Sequence, residues 1–435
     1  MALSTKPYKG ARDFYPVDKR LQNYMFGIWR TVAESFGYEQ YDAPILEPLE
    51  IYKAKTGEEI VNEQTYTFED RGGRQVVIRP EMTPTVSRMV AARRQELAYP
   101  LRWYSIPNLW RYERPQRGRL REHWQLNVDI FGVTGIEAEY EIITMVDAMF
   151  KAFGATHEMY EIHLNSRKFM DYVLEQELKL NPKEAHAISK LIDRMHKMER
   201  SDFIAKADAV INPKILSNGV VEKLLTILDT KDLAKLPVDL RSHESVTELQ
   251  SMITMLRVAG IKNVIFDASL MRGFDYYTDI VFEVFDKHPD NNRSMLGGGR
   301  YDGLVGLFGV APVATAGFGW GDVTLANFLE LHHLLPDLKP TTDVYVVLVG
   351  DVVVAAAKPI ADLRQLGINV AVDLSGRKLG DQIKAADKQG LSFALIIGET
   401  ELAASKFKLK NLKTGTEQTL ELPKIAKLLE DQRQK

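Results

Sequence analysis

The 435-residue sequence contains no cysteine. That absence excludes a disulfide framework, a thiolate nucleophile, cysteine-ligated zinc and iron–sulfur clusters. No apolar run approaches the length of about 18 residues that a transmembrane helix needs. The opening stretch, MALSTKPYKGARDFYP, lacks the apolar core of a secretory signal, so a cytoplasmic location is expected. Neither sign of charge is in excess: 56 basic and 59 acidic residues leave a formal net charge of -3. Any contact with nucleic acid must therefore come from local basic patches. Internal repeats and low-complexity tracts are missing. The nine histidines are scattered without metal-ligand spacing, so no metal ligands can be assigned.

What is present is ordinary for a globular protein: 45% hydrophobic and 26% charged residues. At roughly 100–200 residues per domain, the length predicts two to four domains. Tyr15 to Phe36 has helical spacing, with Leu21, Tyr24, Met25, Ile28, Val32 and Phe36 on one stripe and Gly37 as the stop. Short strands are expected over Thr65–Glu69 and Arg74–Ile78, around an Arg-Gly-Gly turn. A helix is expected over Met82–Ala98. Strands are then expected over Leu101–Ile106, Leu109–Glu113 and His123–Phe131, followed by a helix over Ala138–Phe153. Residues 168–240 are rich in Lys, Glu, Asp, Leu and Ile at helical spacing, which reads as a helical insertion. Residues 332–341 read as a linker. Beyond it, strands alternate with helices, which implies a small α/β domain over 342–435.

The densest chemical signal lies between Arg111 and Gln125. Five arginines fall between positions 111 and 121, around a Pro-Gln-Arg-Gly turn. Alternation along a strand would put Arg111 and Glu113 on one face of the first arm, and His123 and Gln125 on one face of the second. A guanidinium fork suits phosphate, and a neighbouring carboxylate can accept from an exocyclic amine or hold Mg²⁺. A second cluster, Arg79-Pro80-Glu81-Met82-Thr83, opens a helix after a strand and places Glu81 in the first turn.

The Arg-x-Glu sequence, the loop and the following Gln-bearing strand resemble motif 2 of class II aminoacyl-tRNA synthetases, and the histidyl branch in particular. Two further segments resemble that branch's histidine-specific motifs: Leu270-Met271-Arg272-Gly273-Phe274-Asp275-Tyr276-Tyr277-Thr278 and Leu296-Gly297-Gly298-Gly299-Arg300-Tyr301-Asp302-Gly303-Leu304. Residues 37–47, with Pro44, resemble motif 1, which in that class forms a dimer interface. The tail resembles an anticodon-binding domain.

The resemblance implies an α+β catalytic domain with a mostly antiparallel sheet, over 1–167 and 241–331. The helical insertion and the C-terminal α/β domain complete the chain. It also implies a homodimer that takes L-histidine, ATP with Mg²⁺, and tRNA(His), with no membrane partner. The implied catalytic cations are Arg272 and Arg111. A fixed unit charge about 4 Å from the reacting phosphate, at an effective dielectric near 20, contributes on the order of 4 kcal/mol before desolvation. The implied amino-acid ligands are Glu81, Thr83, Gln125, Asp129, Tyr276 and Tyr277. The implied ATP ligands are Arg111, Glu113, Arg119, Arg121 and His123. Here His123-Trp124 stands where the bacterial family usually has Phe-His.

One departure matters. The family's motif 3 ends in Glu-Arg, with the Arg on the ATP γ-phosphate. This sequence has Val323-Thr324 at those positions, within Gly317-Phe318-Gly319-Trp320-Gly321-Asp322-Val323-Thr324. The missing charge is expected from Arg117, Arg119 or Arg121, or from magnesium held partly by Asp322. The competing reading is a non-catalytic regulatory paralogue that partners a histidine-biosynthetic phosphoribosyltransferase. Such paralogues generally lack the C-terminal domain and carry a degraded Arg-Gly-x-Asp-Tyr-Tyr segment, and this chain keeps both. A synthetase for another amino acid is disfavoured by the Asp275-Tyr276-Tyr277 segment and by Asp129.

Overall fold

The computed structural model describes residues 3–53, 64–216, 219–271, 276–291 and 293–433. They fall into two compact units, Met1–Leu335 and Pro336–Lys435.

The first unit is organised by a mixed, largely antiparallel sheet of nine strands among the described residues. Its spatial order is Glu39–Gln40, Leu101–Ser105, Glu122–Phe131, Thr315–Gly321, Ser294–Arg300, Ile280–Asp286, Tyr160–Ser166 and Val264–Phe266. The two outermost pairings are parallel and those between are antiparallel. The short strand Asn108–Trp110 pairs with the start of Glu122–Phe131.

Alternation divides this sheet into a covered face and a site face. Leu126, Val128 and Ile130, with Ala316, Phe318 and Trp320, point into the main core. Helices Pro16–Ser35, Glu137–Ala152 and Asp322–Leu331 contribute to the same core through Trp29, Phe150 and Phe328. Phe150 lies 4.5 Å from Trp320, 4.1 Å from Tyr160 and 5.2 Å from Phe328, ring centre to ring centre. The insertion's helices extend this core with Ile188, Leu224 and Leu228. The insertion also ties itself to the strand side through polar groups. Lys231 Nζ sits 2.5 Å from Asp267, and His196 lies 3.0 Å from the Ser269 hydroxyl.

Several elements differ from expectation. The helix expected over Met82–Ala98 spans only Thr83–Ala92. Arg93, Arg94, Gln95 and Glu96 offer no apolar side chain to bury, so packing does not extend it. The strand expected to reach Glu113 stops at Trp110. Beyond it the Glu113 N–H bonds the Arg111 carbonyl at 2.8 Å, which turns the backbone out of the ladder. Tyr160–Ser166 is a strand absent from the sequence reading, although Tyr160, Ile162 and Leu164 alternate with Glu161 and His163. The glycine run 297–299, which alone reads as a turn, forms the middle of a central strand.

The second unit has a five-stranded sheet ordered Val370–Val372, Val344–Val349, Phe393–Gly398, Phe407–Asn411 and Glu417–Leu420. The first three run parallel and the last two are antiparallel additions. Helices Val353–Gln365 and Leu422–Arg433 add Leu363, Ile425 and Leu429 to its core. Among this unit's basic residues, Arg377 is paired with Asp373 at 2.9 Å, and Lys410 with Glu417 at 2.8 Å.

The aromatic cluster around Phe150 carries a prediction. Phe150→Ala should cost about 3–5 kcal/mol, the usual loss for emptying a packed aromatic position. Thermal unfolding followed by tryptophan fluorescence, which reports the first unit because all five tryptophans lie in it, should show a lowered transition.

Candidate active site

The site face is built by the same alternation. His123, Gln125, Asn127 and Asp129 share one side of strand Glu122–Phe131. Opposite them on the next strand stand Gly321, Gly319 and Gly317, paired with Gln125, Asn127 and Asp129. One strand further, Gly297 and Gly299 pair with Gly319 and Gly317. A polar stripe therefore borders a floor of glycine. The floor is filled right up to its backbone. A Cβ on Gly319 would overlap the Gln125 amide, and one on Gly317 would sit 2.7 Å from an Asp129 carboxylate oxygen. The glycines thus let Gln125, Asp129 and Tyr301 lie directly against the sheet.

Asp129 is the electrostatic centre of this face. It is buried, and the Tyr301 hydroxyl donates to its Oδ1. Its Oδ2 has no hydrogen-bond partner among the described residues, and the same holds for the nearby Tyr41 hydroxyl and Ser105 Oγ. Burial pushes the Asp129 carboxyl up to about 7, against the lowering effects of the Tyr301 hydroxyl and then the Tyr41 hydroxyl. The tyrosine hydroxyls respond in the same sense. Burial, and then the Asp129 charge, raise Tyr301 and Tyr41 well above the usual phenol range.

A chain of contacts joins Asp129 to the other pocket residues. The Tyr301 ring lies 5.6 Å from that of Tyr276 and 6.2 Å from that of Tyr277. The Tyr276 hydroxyl donates to Glu81 Oε2 at 3.3 Å, and Glu81 is buried. Glu81 does not sit in a helical turn as expected. The helix begins at Thr83, after Met82, and Glu81 precedes the cap. Thr83 is thus the first helical residue and is partly exposed. Arg111 Nε donates to the Pro80 carbonyl at 2.9 Å, which brings it beside Glu81. Gln125 lies along the same stripe, and its Oε1 is buried without a partner. Upstream, the segment leading to Tyr276 is pinned by Asn165, whose amide donates to the carbonyls of Ala268 and Leu270 at 3.1 and 3.0 Å. Arg272 lies outside the described residues.

The arginine-rich loop forms a second, cationic region. Its arms meet where the Arg111 N–H bonds the Arg121 carbonyl at 2.8 Å. Because the first strand ends at Trp110, Arg111 and Glu113 are placed by this loop rather than by strand alternation. Glu113 faces Arg119 at 3.5 Å. Arg121 is turned away from the loop's mouth. Its guanidinium lies 4.0 Å from the Tyr112 ring and donates to the Glu113 carbonyl at 3.1 Å and to the Tyr8 hydroxyl at 3.0 Å. A depression of about 260 Å³ opens here, lined by Gln64, Tyr112, Glu113, Arg114, Gln116 and Arg119. His123 begins the return strand beside this region. Burial, then the charges of Arg111 and Arg12, pull its pKa down to about 3, so its imidazole is neutral at physiological pH.

Asp322 is already committed. It is fully buried, bonded to Arg12 at 2.7 Å through one oxygen and to the Trp124 N–H at 3.0 Å through the other. This carboxylate therefore braces the N-terminal segment and does not fit the expected share in holding magnesium. No cluster of three or more His, Asp or Glu side chains suited to a metal ion occurs among the described residues. Thr324 likewise faces inward, its hydroxyl donating to the Met295 carbonyl at 2.8 Å. Arg300, within the glycine-rich motif, points to the opposite face of the sheet and grips Glu139 with two bonds of 2.7 Å.

Sequence reasoning missed Tyr301 as the partner of Asp129, Tyr41 as its neighbour, and the close approach that Gly317 and Gly319 permit. Strict alternation of Gly with Phe and Trp over 317–321 was the available signal. An unneutralised carboxylate here has a thermodynamic consequence. A raised carboxyl pKa means that the folded protein holds this proton more tightly than the unfolded chain. Stability from this group is then full below about pH 4 and is lost as pH rises through about 7. Asp129→Asn should therefore be more stable than the parent at pH 8, by a few kcal/mol at about 1.4 kcal/mol per tenfold change in proton affinity. The difference should vanish near pH 4 in urea unfolding curves.

Comparison with known proteins places this geometry. A family profile described as histidyl-tRNA synthetase matches residues 10–320, and one described as an anticodon binding domain matches 343–432. A histidine–tRNA ligase of Leptospira biflexa is 44% identical over 420 residues, covering 94% of each chain. One from Thermoplasma volcanium is 36% identical over 424 residues, covering 97% of each. Among solved structures, a histidyl-tRNA synthetase from Nostoc sp. PCC 7120 superposes with a TM-score of 0.81 at 24% identity, covering 99% of this chain and 100% of that one. The S. aureus apo enzyme superposes with a TM-score of 0.74 at 25% identity, covering 98% of this chain and 100% of that one. With the profile spanning most of the chain and such relatives matched along nearly its whole length, the chain belongs to the histidyl-tRNA synthetase family.

Proposed function

We propose that the chain is a histidine–tRNA ligase that activates histidine with ATP and transfers it to the 3′ end of tRNA(His). The observation that carries this reading is the buried Asp129 carboxylate, with one oxygen unpartnered, above a glycine floor. An imidazole N–H supplies the missing donor. Tyr277 faces the ring from the tyrosine cluster. Glu81, Thr83 and Gln125 take the α-amino group, with Tyr276 orienting Glu81. A ligand without a matching donor leaves the buried Asp129 Oδ2 and Gln125 Oε1 unpaired, which is a steep penalty.

In the first step, a histidine carboxylate oxygen attacks the α-phosphorus, the bond to the bridging oxygen breaks, and pyrophosphate leaves. Arg111 grips the α-phosphate and the amino-acid carboxylate, and Arg272 is the second cation for the developing charge. Glu113 accepts from the adenine amine, with Arg119 across the mouth. The neutral His123 ring supplies a stacking surface for adenine. Arg121 acts through Glu113, whose carbonyl it fixes. In the second step, a hydroxyl of the tRNA terminal ribose attacks the acyl carbon and AMP leaves. Among the described residues no side chain is placed as a lone general base, and a phosphate oxygen of the substrates takes the proton.

Magnesium enters with the triphosphate, as part of the substrate. The second unit binds the anticodon arm. A second copy of the chain is the expected partner, packing on exposed apolar residues of the three-stranded sheet Leu46–Pro48, Gln75–Ile78 and Tyr66–Glu69, such as Leu46 and Phe68. The protein works in the cytoplasm. A regulatory paralogue is not favoured, because relatives aligned along 94% and 97% of the chain are histidine–tRNA ligases.

ATP–pyrophosphate exchange with each amino acid in turn tests the proposal. Exchange should occur with histidine alone and fall at least about a hundredfold in Asp129→Ala, in line with the loss of a buried polar contact made by the substrate. Exchange with another amino acid, or with none, would overturn it.

A further inference from the structure

The family's motif 3 cation is missing at Thr324, and three of the four candidates the sequence offered are already engaged. Arg121 lies against Tyr112, Arg119 faces Glu113, and the carboxylate of Asp322 is taken by Arg12. The structure brings another arginine to the place. Arg293 immediately precedes strand Ser294–Arg300. That strand pairs Leu296 with Trp320, and the neighbouring strand pairs Gly321 with Gln125. The register therefore carries Arg293, the start of helix Asp322–Leu331, and His123 to the same end of the sheet.

Two contacts fix the guanidinium there. Arg293 donates to the Arg117 carbonyl at 3.3 Å and to the Gln116 side-chain oxygen at 3.2 Å. The loop tip also meets the motif 3 helix. A Cβ on Gly118 would lie 3.8 Å from the Asn327 amide and 4.0 Å from the Thr324 methyl. Thr324 in turn bonds the carbonyl of Met295, two residues from Arg293. Arg293 is exposed, makes no ion pair among the described residues, and contacts only neutral acceptors. Its charge is thus not cancelled by a carboxylate. Both contacts run to groups that a phosphate oxygen can replace, since each exchanges a weak, long bond for a charge-assisted one.

We propose that Arg293 supplies the cation for the terminal phosphates of ATP that position 324 does not. This inference rests on the ligase reading. In the adenylation step the electron pair of the broken bond goes to the departing pyrophosphate, and Arg293 stands where that charge collects. With no nucleotide bound, the same side chain braces the loop at Gln116 and Arg117.

The test compares ATP with AMP, because AMP lacks the phosphates in question. In the full-length protein, Arg293→Gln should weaken ATP binding and raise the KM for ATP at least about tenfold, about one charge-assisted contact. AMP affinity and the KM for histidine should stay within about twofold. Arg293→Lys should recover a large part of the loss, and adding Thr324→Arg to Arg293→Gln should recover it by a second route. Equal weakening of ATP and AMP, or no effect on either, would overturn the proposal. So would a Gln116→Ala variant that reproduces the ATP defect, which would make Arg293 a brace only. If the parent protein shows no histidine-dependent exchange, the ligase reading fails, and the comparison of ATP with AMP still judges Arg293 independently.

Discussion

The pairing of Glu122–Phe131 with Thr315–Gly321 is the contact on which the rest of the molecule depends. Its covered face is continuous hydrophobic core, with Val128 beside Phe318 and Leu126 beside Trp320. Its other face puts Asp129, Asn127 and Gln125 against three glycines. One ladder thus joins the best-packed part of the molecule to its most polar part. The helices that bury the first face hold the second rigid, so side chains with buried, unpaired polar atoms stay in place before any ligand arrives.

The same constraint explains why the pocket can discriminate. Desolvation makes an unanswered carboxylate expensive, and Tyr301 answers only one of its oxygens. The remaining penalty is returned when a donor of the right geometry binds. Selectivity of this kind comes from polar groups that a wrong ligand leaves unpaired. The glycine floor sets the shape, because any side chain at 317 or 319 would occupy the space beside Asp129 or Gln125.

Much of this was legible in the residues. Helical spacing located Pro16–Ser35 within a residue at each end, because Trp29 and its neighbours face one core. The mostly antiparallel catalytic sheet and the α/β tail followed from motif order and from alternating strands and helices. Other features depend on tertiary contacts that no local pattern encodes. The first arm of the arginine loop leaves its strand at Trp110 because a local turn at Arg111 competes with the ladder. Asp322 reads as an available carboxylate until Arg12, 310 positions away, is seen to claim it. Arg293 reads as one exposed charge among many, because its loop partners lie 176 and 177 positions earlier. The glycine run at 297–299 reads as a turn, since only the packed neighbours of a central strand reveal why no side chain fits.

The central claim is that Asp129 waits in the empty protein as a desolvated carboxyl for a matching donor. A carbon-13 titration of its carboxyl, resolved by comparison with Asp129→Asn, tests this most directly. The account predicts a midpoint near 7 in the empty protein and a clear shift on adding histidine but not another amino acid. A midpoint in the ordinary range near 4, unmoved by histidine, would contradict it.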